Sequence, residues 1–443
     1  MISSLVRAFG DGSGRTAVDP LVLLGPAPGV DLDAVALLLA PPALTGEFFP
    51  LSLWCGVDRL PLRPSLPVPH PGGLRAAFAE SVREVAEHAE TIGVSVSGGL
   101  DSLMTLVHAC AVADGRRVIA FTADMTDDRG RSCVPVVARL LRDLGLCDVE
   151  LEVIDPERHR AEPRWSPYGP RLDARPDLNA AMAERAATRG ADVLLSGDGS
   201  DELLGVPRYA TGAVAHRHGL RAARRYAQDV ARSGPGLFGE SVAALARYAP
   251  ARVRAAGYWA ANWPEWTSIT APALLAEPYR SAATLWGRAW VAERIADHAH
   301  RGRSWAQADA YDAFYPHETI PAAGTVPEES PFLTDRFVSA AFAVPLADRY
   351  RADLPTGYWR CKSLVLSLLP PEQLRHLPRH KQYFSAALGE QARTLDPSAP
   401  LLSVETGLID RAALHGETDP AALLALSAIE QWLLGAVERG AVL

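Results

Sequence analysis

The sequence lacks any uninterrupted apolar run of about 18 residues, the length that a membrane-spanning helix needs. The longest candidate, residues 34–44, is broken by Pro41 and Pro42. Residues 1–12 also lack the pattern of a secretory signal peptide. These absences predict a protein of the cytoplasm that has no membrane as a partner.

Cysteine, lysine and excess positive charge are also scarce. The five cysteines are scattered and form no CxxC pair, which argues against a zinc site and favours reduced thiols. The formal net charge is −8, so nothing predicts a nucleic acid as a partner. The 443 residues, of which 48% are hydrophobic, suffice for two or more domains with sizeable cores.

What the chain does contain is a glycine turn between a predicted strand and a predicted helix. The apolar, β-branched stretch 91–96 is typical of a buried strand, and residues 103–110 carry apolar side chains at helical spacing. Between them lies Ser-Gly-Gly-Leu-Asp-Ser, residues 97–102. Because a helix that starts at such a turn points free N–H groups into it, the turn favours an anion.

Each polar or flexible residue of this turn suits a phosphate ligand. Gly98 and Gly99 have no Cβ, so the backbone can turn sharply and approach a ligand closely. Ser97 and Ser102 add hydroxyl donors. Asp101 is placed for a Mg²⁺ ion that the phosphates would share. No Gly-Lys-Ser/Thr follows, so this is not a Walker loop.

Predicted strands and helices alternate along the next part of the chain. The strands are at 118–121, 149–154 and 191–195, and the helices at 74–90, 133–144 and 178–189. This alternation is typical of an α/β fold with a doubly wound parallel sheet. Ligands of such sheets bind beyond the carboxyl ends of the strands. Residues 203–310 are typical of helices, which predicts a helical C-terminal half.

A second glycine turn, Ser-Gly-Asp-Gly-Ser-Asp-Glu at 196–202, follows the predicted strand at 191–195. Because it also leaves the carboxyl end of a strand, it should lie at the same edge of the sheet as the first turn. Each turn carries an aspartate to this edge, Asp101 in the first and Asp201 in the second. Two carboxylates held close together need a cation between them.

The two turns together resemble the motifs of the asparagine synthetase-like family of ATP pyrophosphatases, also called PP-loop enzymes. The resemblance covers roughly residues 54–443 and is strongest at the two aspartate loops. Enzymes of this family cleave ATP between the α and β phosphates and form an adenylated substrate. The resemblance therefore implies ATP and Mg²⁺ as cofactors and a carboxylate-bearing substrate.

The resemblance also assigns roles to single residues. It places Asp101 and Asp201 on Mg²⁺. It assigns ATP binding to these positions: Ser97, Gly98, Gly99, Asp101, Ser102, Ala123, Ser196 and Gly197. Two further residues, Asp198 and Lys381, would be catalytic.

The two catalytic assignments have physical reasons. Asp198 occupies a position that varies with the chemistry across the family, and a carboxylate there could act as a base toward the amine or help to bind metal. Residues 377–384, Leu-Pro-Arg-His-Lys-Gln-Tyr-Phe, resemble the family segment whose lysine reaches back into the site. The ammonium group of Lys381 is a point charge that could neutralise the reacting phosphorus centre.

The N-terminal part departs from the family. Within residues 1–72, the stretch 54–61 resembles the tail of the glutaminase-like domain that precedes the synthetase domain, and the body of that domain is missing. We place the synthetase domain at residues 73–443. Ile2 stands where a cysteine nucleophile would be, and Cys55 lies too deep in the chain to supply an N-terminal amine. We therefore expect a reduced N-terminal segment without glutamine hydrolysis.

The acceptor region resembles a different branch of the family. Residues 327–335 match the family motif only in their second half, with Pro327 and Glu329 in place of its Glu and Arg. Together with residues 316–324, this stretch is similar to lasso-peptide cyclases. The resemblance implies ring closure on a precursor peptide, with a leader-binding or protease partner.

Two other hypotheses of function are compatible with the sequence. One is a small-molecule amide or lactam synthetase, or an amidotransferase that uses ammonia. The other is a pseudoenzyme that binds a nucleotide and serves as a scaffold, although a scaffold would need none of Asp101, Asp201 and Lys381. The sequence thus predicts an ATP-dependent carbon–nitrogen ligase that forms AMP.

Overall fold

The computed structural model describes residues 8–40, 51–60, 66–172, 175–230, 236–263, 270–314, 326–386 and 395–443. Within these residues, a five-stranded sheet forms the centre of the molecule. Its strands are β4 (Thr91–Ser95), β5 (Arg117–Ala123), β6 (Glu150–Ile154), β7 (Val193–Leu195) and β8 (Glu328–Glu329). They lie in the order β6-β5-β4-β7-β8, and every neighbouring pair is parallel.

Helices surround this sheet and fill most of the second half of the chain. In chain order they are α1 (Leu32–Leu37), α2 (Gly73–Val85), α3 (Leu100–Val112), α4 (Val134–Asp143), α5 (Pro176–Thr188), α6 (Ser200–Leu204), α7 (Thr211–His218), α8 (Leu220–Val230), α9 (Gly236–Ala246), α10 (Ala251–Asn262), α11 (Tyr279–His300), α12 (Trp305–Phe314), α13 (Asp335–Phe342), α14 (Gly357–Cys361), α15 (Ser363–Ser367), α16 (Leu402–Glu405), α17 (Arg411–Gly416) and α18 (Pro420–Glu438). The predicted α/β fold with a helical C-terminal half is thereby confirmed.

Alternation along the strands places hydrophobic side chains on both faces of the sheet. Ile92, Val94 and Leu195 pack into one core with α2, α3 and α13. Phe121 and Leu194 point the other way, into a second core with α5. Because both faces are covered by helices, the sheet is doubly wound, as predicted.

The strand order reverses between β4 and β7. The chain runs from β4 through β5 to β6 on one side, whereas β7 and β8 lie on the other side of β4. The turns that leave β4 and β7 therefore open beside one another, at the crevice where open α/β sheets bind ligands. These turns are the two glycine motifs.

The N-terminal residues form a small antiparallel sheet, in the order β2-β1-β3, from β1 (Phe9–Asp11), β2 (Thr16–Ala17) and β3 (Val57–Arg59). Helix α1 packs with α18 in a third hydrophobic core, in which Leu38 and Trp432 are both buried. The N-terminal segment therefore shares a core with the C-terminal end of the chain. The domain boundary between residues 72 and 73 stays a prediction.

Among the described residues, one helix, α18, is long and apolar enough to cross a membrane by length and composition alone. Half of its most apolar window is buried inside the molecule, and its residues belong to the core shared with α1. A buried core helix passes the same test, so α18 is explained by the packing of this protein.

Candidate active site

The first glycine turn is held in shape by its own serines. The hydroxyl of Ser102 accepts a hydrogen bond of 3.2 Å from the backbone N–H of Ser97 and lies 3.3 Å from the Ser97 hydroxyl. Gly98 has a φ of +79°, a conformation that side chains with a Cβ rarely adopt. Helix α3 begins at Leu100, inside this motif and directly after its two glycines, so its first N–H groups face the turn.

The second glycine turn packs against the backbone of the first. A Cβ added to Gly197 would lie 2.8 Å from the backbone nitrogen of Ser102, so this contact admits only glycine. The hydroxyl of Thr105, on α3, donates a hydrogen bond of 3.0 Å to the carbonyl oxygen of Ser196. The Ser330 hydroxyl donates one of 2.7 Å to the carbonyl oxygen of Asp198. The two turns are thus packed against one another at one edge of the sheet, as expected for turns that both leave the carboxyl ends of parallel strands.

The ammonium group of Lys362 lies between the two aspartates. Its Nζ is 2.6 and 2.7 Å from the two carboxylate oxygens of Asp101 and also contacts Oδ1 of Asp201. An ammonium group has three protons to donate, which equals the number of carboxylate oxygens that Lys362 contacts. The Ser200 hydroxyl adds a hydrogen bond of 2.6 Å to Oδ1 of Asp101. The cation between the two carboxylates in this structure is a lysine side chain.

Lys381 approaches the same pair of aspartates from the solvent side. Its Nζ is 3.3 Å from Oδ2 of Asp201. Nearly half of its side chain is exposed, at 45%, whereas the side chain of Lys362 is only 9% exposed. The structure therefore brings the lysine predicted at 381 to the aspartate predicted at 201, although the two are 180 residues apart in sequence.

The segment that carries Lys381 is attached to the loop that follows β5. The backbone N–H of Asp128 donates a hydrogen bond of 2.8 Å to the carbonyl of Tyr383, and the Asp128 carboxylate accepts one of 3.2 Å from Ala386. The Gln382 side chain donates to Asp127 at 3.3 Å. These contacts lie just C-terminal to Lys381, so they fix the position of the Lys381 backbone.

Electrostatic shifts agree with this arrangement of charges. Burial by itself would raise the pKa of Asp201, but the ammonium groups of Lys362 and Lys381 outweigh burial and hold the pKa below its ordinary value. For Lys381, burial opposes the charge, yet Asp201 raises the pKa above the ordinary value. Burial is also the main cause of the raised pKa of Glu202, to which the nearby charges of Asp201 and Asp198 add.

Two further predicted residues lie at the same edge of the sheet. The exposed carboxylate of Asp198 accepts a hydrogen bond of 2.9 Å from the Ser196 hydroxyl. Ala123 is the last residue of β5, and its carbonyl oxygen accepts from the Cys133 thiol at 2.7 Å. These positions are compatible with the predicted contacts to substrate and nucleotide, and their roles stay predictions.

The donor atoms at the aspartate pair fit Mg²⁺ in kind. Mg²⁺ prefers oxygen ligands and is usually held by one or two carboxylates together with substrate phosphates. In the described part of the chain, no group of three or more His, Cys, Asp or Glu side chains is arranged to hold a metal. Asp101 and Asp201 would therefore hold Mg²⁺ with help from the triphosphate, and Lys362 would have to release oxygen atoms to it.

Lys362 is the functional candidate that sequence reasoning missed. It follows α14 and precedes α15, in a stretch that matches no motif considered above. A signal was nevertheless present, because the chain has 44 basic residues of which only Lys362 and Lys381 are lysines. Lys362 contacts both carboxylates, and Lys381 contacts that of Asp201.

Comparison with known families agrees with this geometry. A family model described as asparagine synthase matches residues 73–427. The match includes both glycine turns, both aspartates and both lysines. A comparison with curated protein sequences finds no match.

Proposed function

The chain belongs to the asparagine synthase family, and we propose that it joins a carboxylate to an amine through an acyl-adenylate, with release of AMP and pyrophosphate from ATP. Membership of the family supports an ATP-dependent ligase that forms amide bonds. The observation that carries the finer proposal is the convergence of Asp101, Asp201 and Lys381 at the switch point of the sheet. A nucleotide-binding scaffold would not need this set of charges.

The glycine turns would bind the nucleotide. Ser97, Gly98, Gly99 and Ser102 surround the start of α3, where backbone N–H groups and hydroxyls suit the β and γ phosphates. Ser196 and Gly197 lie against this turn and would contact the nucleotide from the other side. When bound by Asp101 and Asp201, Mg²⁺ supplies positive charge that neutralises the triphosphate.

In the first step, a carboxylate oxygen of the substrate forms a bond to the α-phosphorus. The bond from that phosphorus to the bridging oxygen breaks, and pyrophosphate leaves with the bonding pair. Negative charge grows on the leaving oxygen and around the α-phosphorus, and we assign Lys381 to neutralise it. A fixed ammonium is most useful there because it acts on the charge that develops in the transition state.

In the second step, the amine attacks the carbonyl carbon of the acyl-adenylate, and AMP leaves with the electron pair of the broken bond. The attacking nitrogen must lose a proton. Asp198, exposed beside the second turn, is the carboxylate that we assign as its acceptor. Holding both reactants in this crevice makes the second step nearly unimolecular.

We propose further that the amine belongs to the substrate itself, so that the product is a macrolactam ring on a peptide, as in lasso-peptide cyclases. This rests on the likeness at residues 316–335. Residues 316–325 lie outside the described residues, whereas Pro331, Phe332 and Leu333 are buried beside the second turn. A precursor peptide, with a leader-binding or protease partner, would then be the partner of this enzyme in the cytoplasm.

The adenylation step is tested with hydroxylamine, which captures acyl-adenylates as hydroxamates. The protein is incubated with Mg·ATP and one carboxylic acid at a time, and AMP, ADP, phosphate and pyrophosphate are separated. We expect AMP and pyrophosphate in equal amounts, with hydroxamate whenever the acid is a substrate. ADP and phosphate as products would overturn the assignment.

The nature of the amine is tested with two substrates in parallel. One is aspartate with ammonia, and the other is a linear peptide that carries a free N-terminal amine and a side-chain carboxylate. Ring closure lowers the mass of the peptide by one water without any added amine. Asparagine from the first mixture, and no change in the second, would favour an ammonia-dependent amidotransferase over a cyclase.

A further inference from the structure

Lys362 is built into the core on one side and presented to the carboxylates on the other. Its backbone N–H donates to the carbonyls of Tyr358 and Trp359, at the end of α14. Trp359 is buried, so this end of the chain segment is fixed. Four flexible methylene groups separate that backbone from the ammonium. The ammonium can therefore move by a few ångströms while its backbone stays in place.

The oxygens that Lys362 contacts are those that a divalent cation would need. Lys362 contacts both oxygens of Asp101 and Oδ1 of Asp201, and Lys381 lies near the remaining oxygen of Asp201. Two negative charges thus meet two positive ones. An added divalent cation would share oxygens with an ammonium of like charge, which is unfavourable at such short range.

We infer that Lys362 competes with the divalent cation for Asp101 and Asp201, so that the cation is held there only together with the triphosphate of ATP. The phosphates supply oxygen ligands for the cation and, at the same time, new acceptors for the displaced ammonium. Lysine is a good phosphate ligand because its ammonium is a mobile point charge. Lys362 is then a positioning residue that makes metal binding depend on the nucleotide.

The choice of lysine supports this competition. Arginine outnumbers lysine heavily in this chain, yet the position between the aspartates holds one of its two lysines. A planar guanidinium would form a rigid paired contact with one carboxylate. An ammonium can share its protons between oxygens on two different turns and then transfer them to a phosphate.

The inference is tested by the binding of Mn²⁺ to the full chain without any nucleotide, measured by electron paramagnetic resonance. We expect the parent protein to bind Mn²⁺ weakly and Lys362→Met to bind it at least about tenfold more tightly, since one positive charge has left the site. Lys381→Met is the matched control. Its ammonium is more exposed and contacts a single oxygen, so a smaller gain is expected.

A second variant and a double variant keep the test decisive. Lys362→Gln replaces the methionine variant if thermal melting shows that the latter is unfolded. Asp101→Asn combined with Lys362→Met should lose the gain in Mn²⁺ affinity, because the carboxylate itself is gone. A lysine that served only the fold would leave the effect of a nucleotide on Mn²⁺ binding unchanged when it is replaced, and the titration with nucleotide tests this. Equal Mn²⁺ affinities of the parent and folded Lys362→Met, within about twofold, would overturn the inference.

The same titration is repeated with an ATP analogue that has a methylene group between the α and β phosphorus atoms. The analogue should tighten Mn²⁺ binding by the parent protein more than by Lys362→Met, because part of its effect is to attract Lys362. This inference rests on the proposed function only in taking ATP as the ligand. A failure of adenylation would appear as missing AMP and pyrophosphate, whereas a failure of the inference appears as unchanged Mn²⁺ affinity without nucleotide.

Discussion

The two lysines of this chain meet at the carboxylate of Asp201 from opposite settings. Lys362 comes from the junction of two short helices, has a side chain that is 9% exposed, and contacts three carboxylate oxygens. Lys381 comes from a loop, is 45% exposed, and lies 3.3 Å from one oxygen. The same functional group therefore occurs once as part of the core and once at the surface of the crevice.

The difference in burial gives the two ammonium groups different electrostatic roles. A buried ammonium balances the carboxylates around it, and removal of either partner leaves an uncompensated charge inside the molecule. An exposed ammonium contributes little to folding because water and salt screen it. It is free to act on a substrate instead. We therefore expect Lys362 and its partner Asp101 to affect stability and metal binding, and Lys381 to affect chemistry.

The largest effect is expected from Lys381→Met. This change keeps much of the side-chain stem and removes the charge. Groups that stabilise a transition state in this way are worth about 3–4 kcal/mol, or roughly 10²–10³ in rate. Binding of Mg·ATP, measured by calorimetry, should remain close to that of the parent, while formation of amide product falls by this factor. Lys381→Arg should restore little, since a planar fork does not replace a compact charge.

The outcome for Lys381→Met tests directly whether the two lysines have different roles. If amide formation stays within a few-fold of the parent, Lys381 is a surface residue and the exposed lysine carries no chemistry. Unfolding of the variant in urea provides the control. Its midpoint should match that of the parent, because the contact with Asp201 is half exposed.

The second effect concerns stability and contrasts Asp101 with Asp201. Asp101→Asn removes the carboxylate that contacts Lys362 with both oxygens, and about 3 kcal/mol of unfolding free energy should be lost. Asp201→Asn leaves Lys362 paired with Asp101, and its own carboxylate is 48% exposed. A loss of about 1 kcal/mol or less is expected there. Both values are measured by urea unfolding at neutral pH, and equal losses would contradict the assignment of Asp101, whose side chain is 21% exposed, as the more buried partner of Lys362.

Much of this architecture follows from local sequence patterns. Strands β4 and β7 are short apolar runs that each precede a glycine turn, so the sequence pattern predicted where they lie. Because the strands are parallel, both turns had to lie at the same edge of the sheet. The predicted bounds of β4, at 91–96, differ from the observed Thr91–Ser95 by one residue. Strand β8 has only two residues, too few for any periodicity to show.

The partner of the aspartates could not be located in the same way. Lys362 lies 261 residues from Asp101 and is brought to it by the packing of α14 and α15, which no pattern near either residue specifies. The apolar residues of α15 predict that this helix is buried, but they do not predict that Lys362 is placed beside the aspartates. The need for a cation between the aspartates was foreseen. That a lysine supplies it in this structure was not.

The third prediction concerns how Lys381 is held. The Asp128 carboxylate accepts a hydrogen bond from the backbone of Ala386, and one such bond is worth about 1 kcal/mol. Asp128→Ala should therefore lower kcat by about fivefold to tenfold, with unchanged binding of ATP. Asp124→Ala, in the same loop, is the matched control, because Asp124 accepts from Ser132 within the loop. An equal loss in both variants would mean that the loop acts through its own fold and not through Lys381.

The smallest effect is expected at Glu202, whose pKa is raised chiefly by burial and is lowered in turn by Lys362. A carboxyl whose pKa is higher in the folded than in the unfolded state contributes stability below its unfolded pKa, near 4.3. That contribution is lost as the pH rises through the folded value, so ionised Glu202 costs stability at neutral pH. Glu202→Gln should then raise the free energy of unfolding at pH 7 by about 1 kcal/mol or less, seen as a higher urea midpoint, and leave both unchanged near pH 4.

The size of this gain in stability should differ between variants of the two lysines. Lys362 helps to keep Glu202 ionised, so without it the folded state bears more of the cost of that charge. Glu202→Gln should therefore stabilise Lys362→Met more than it stabilises Lys381→Met at pH 7, while both differences disappear near pH 4. Unfolding curves of the four proteins at the two pH values measure this directly. A gain that is the same in both backgrounds would show that Lys362 does not balance the charge of Glu202, and that the buried lysine serves the two aspartates alone.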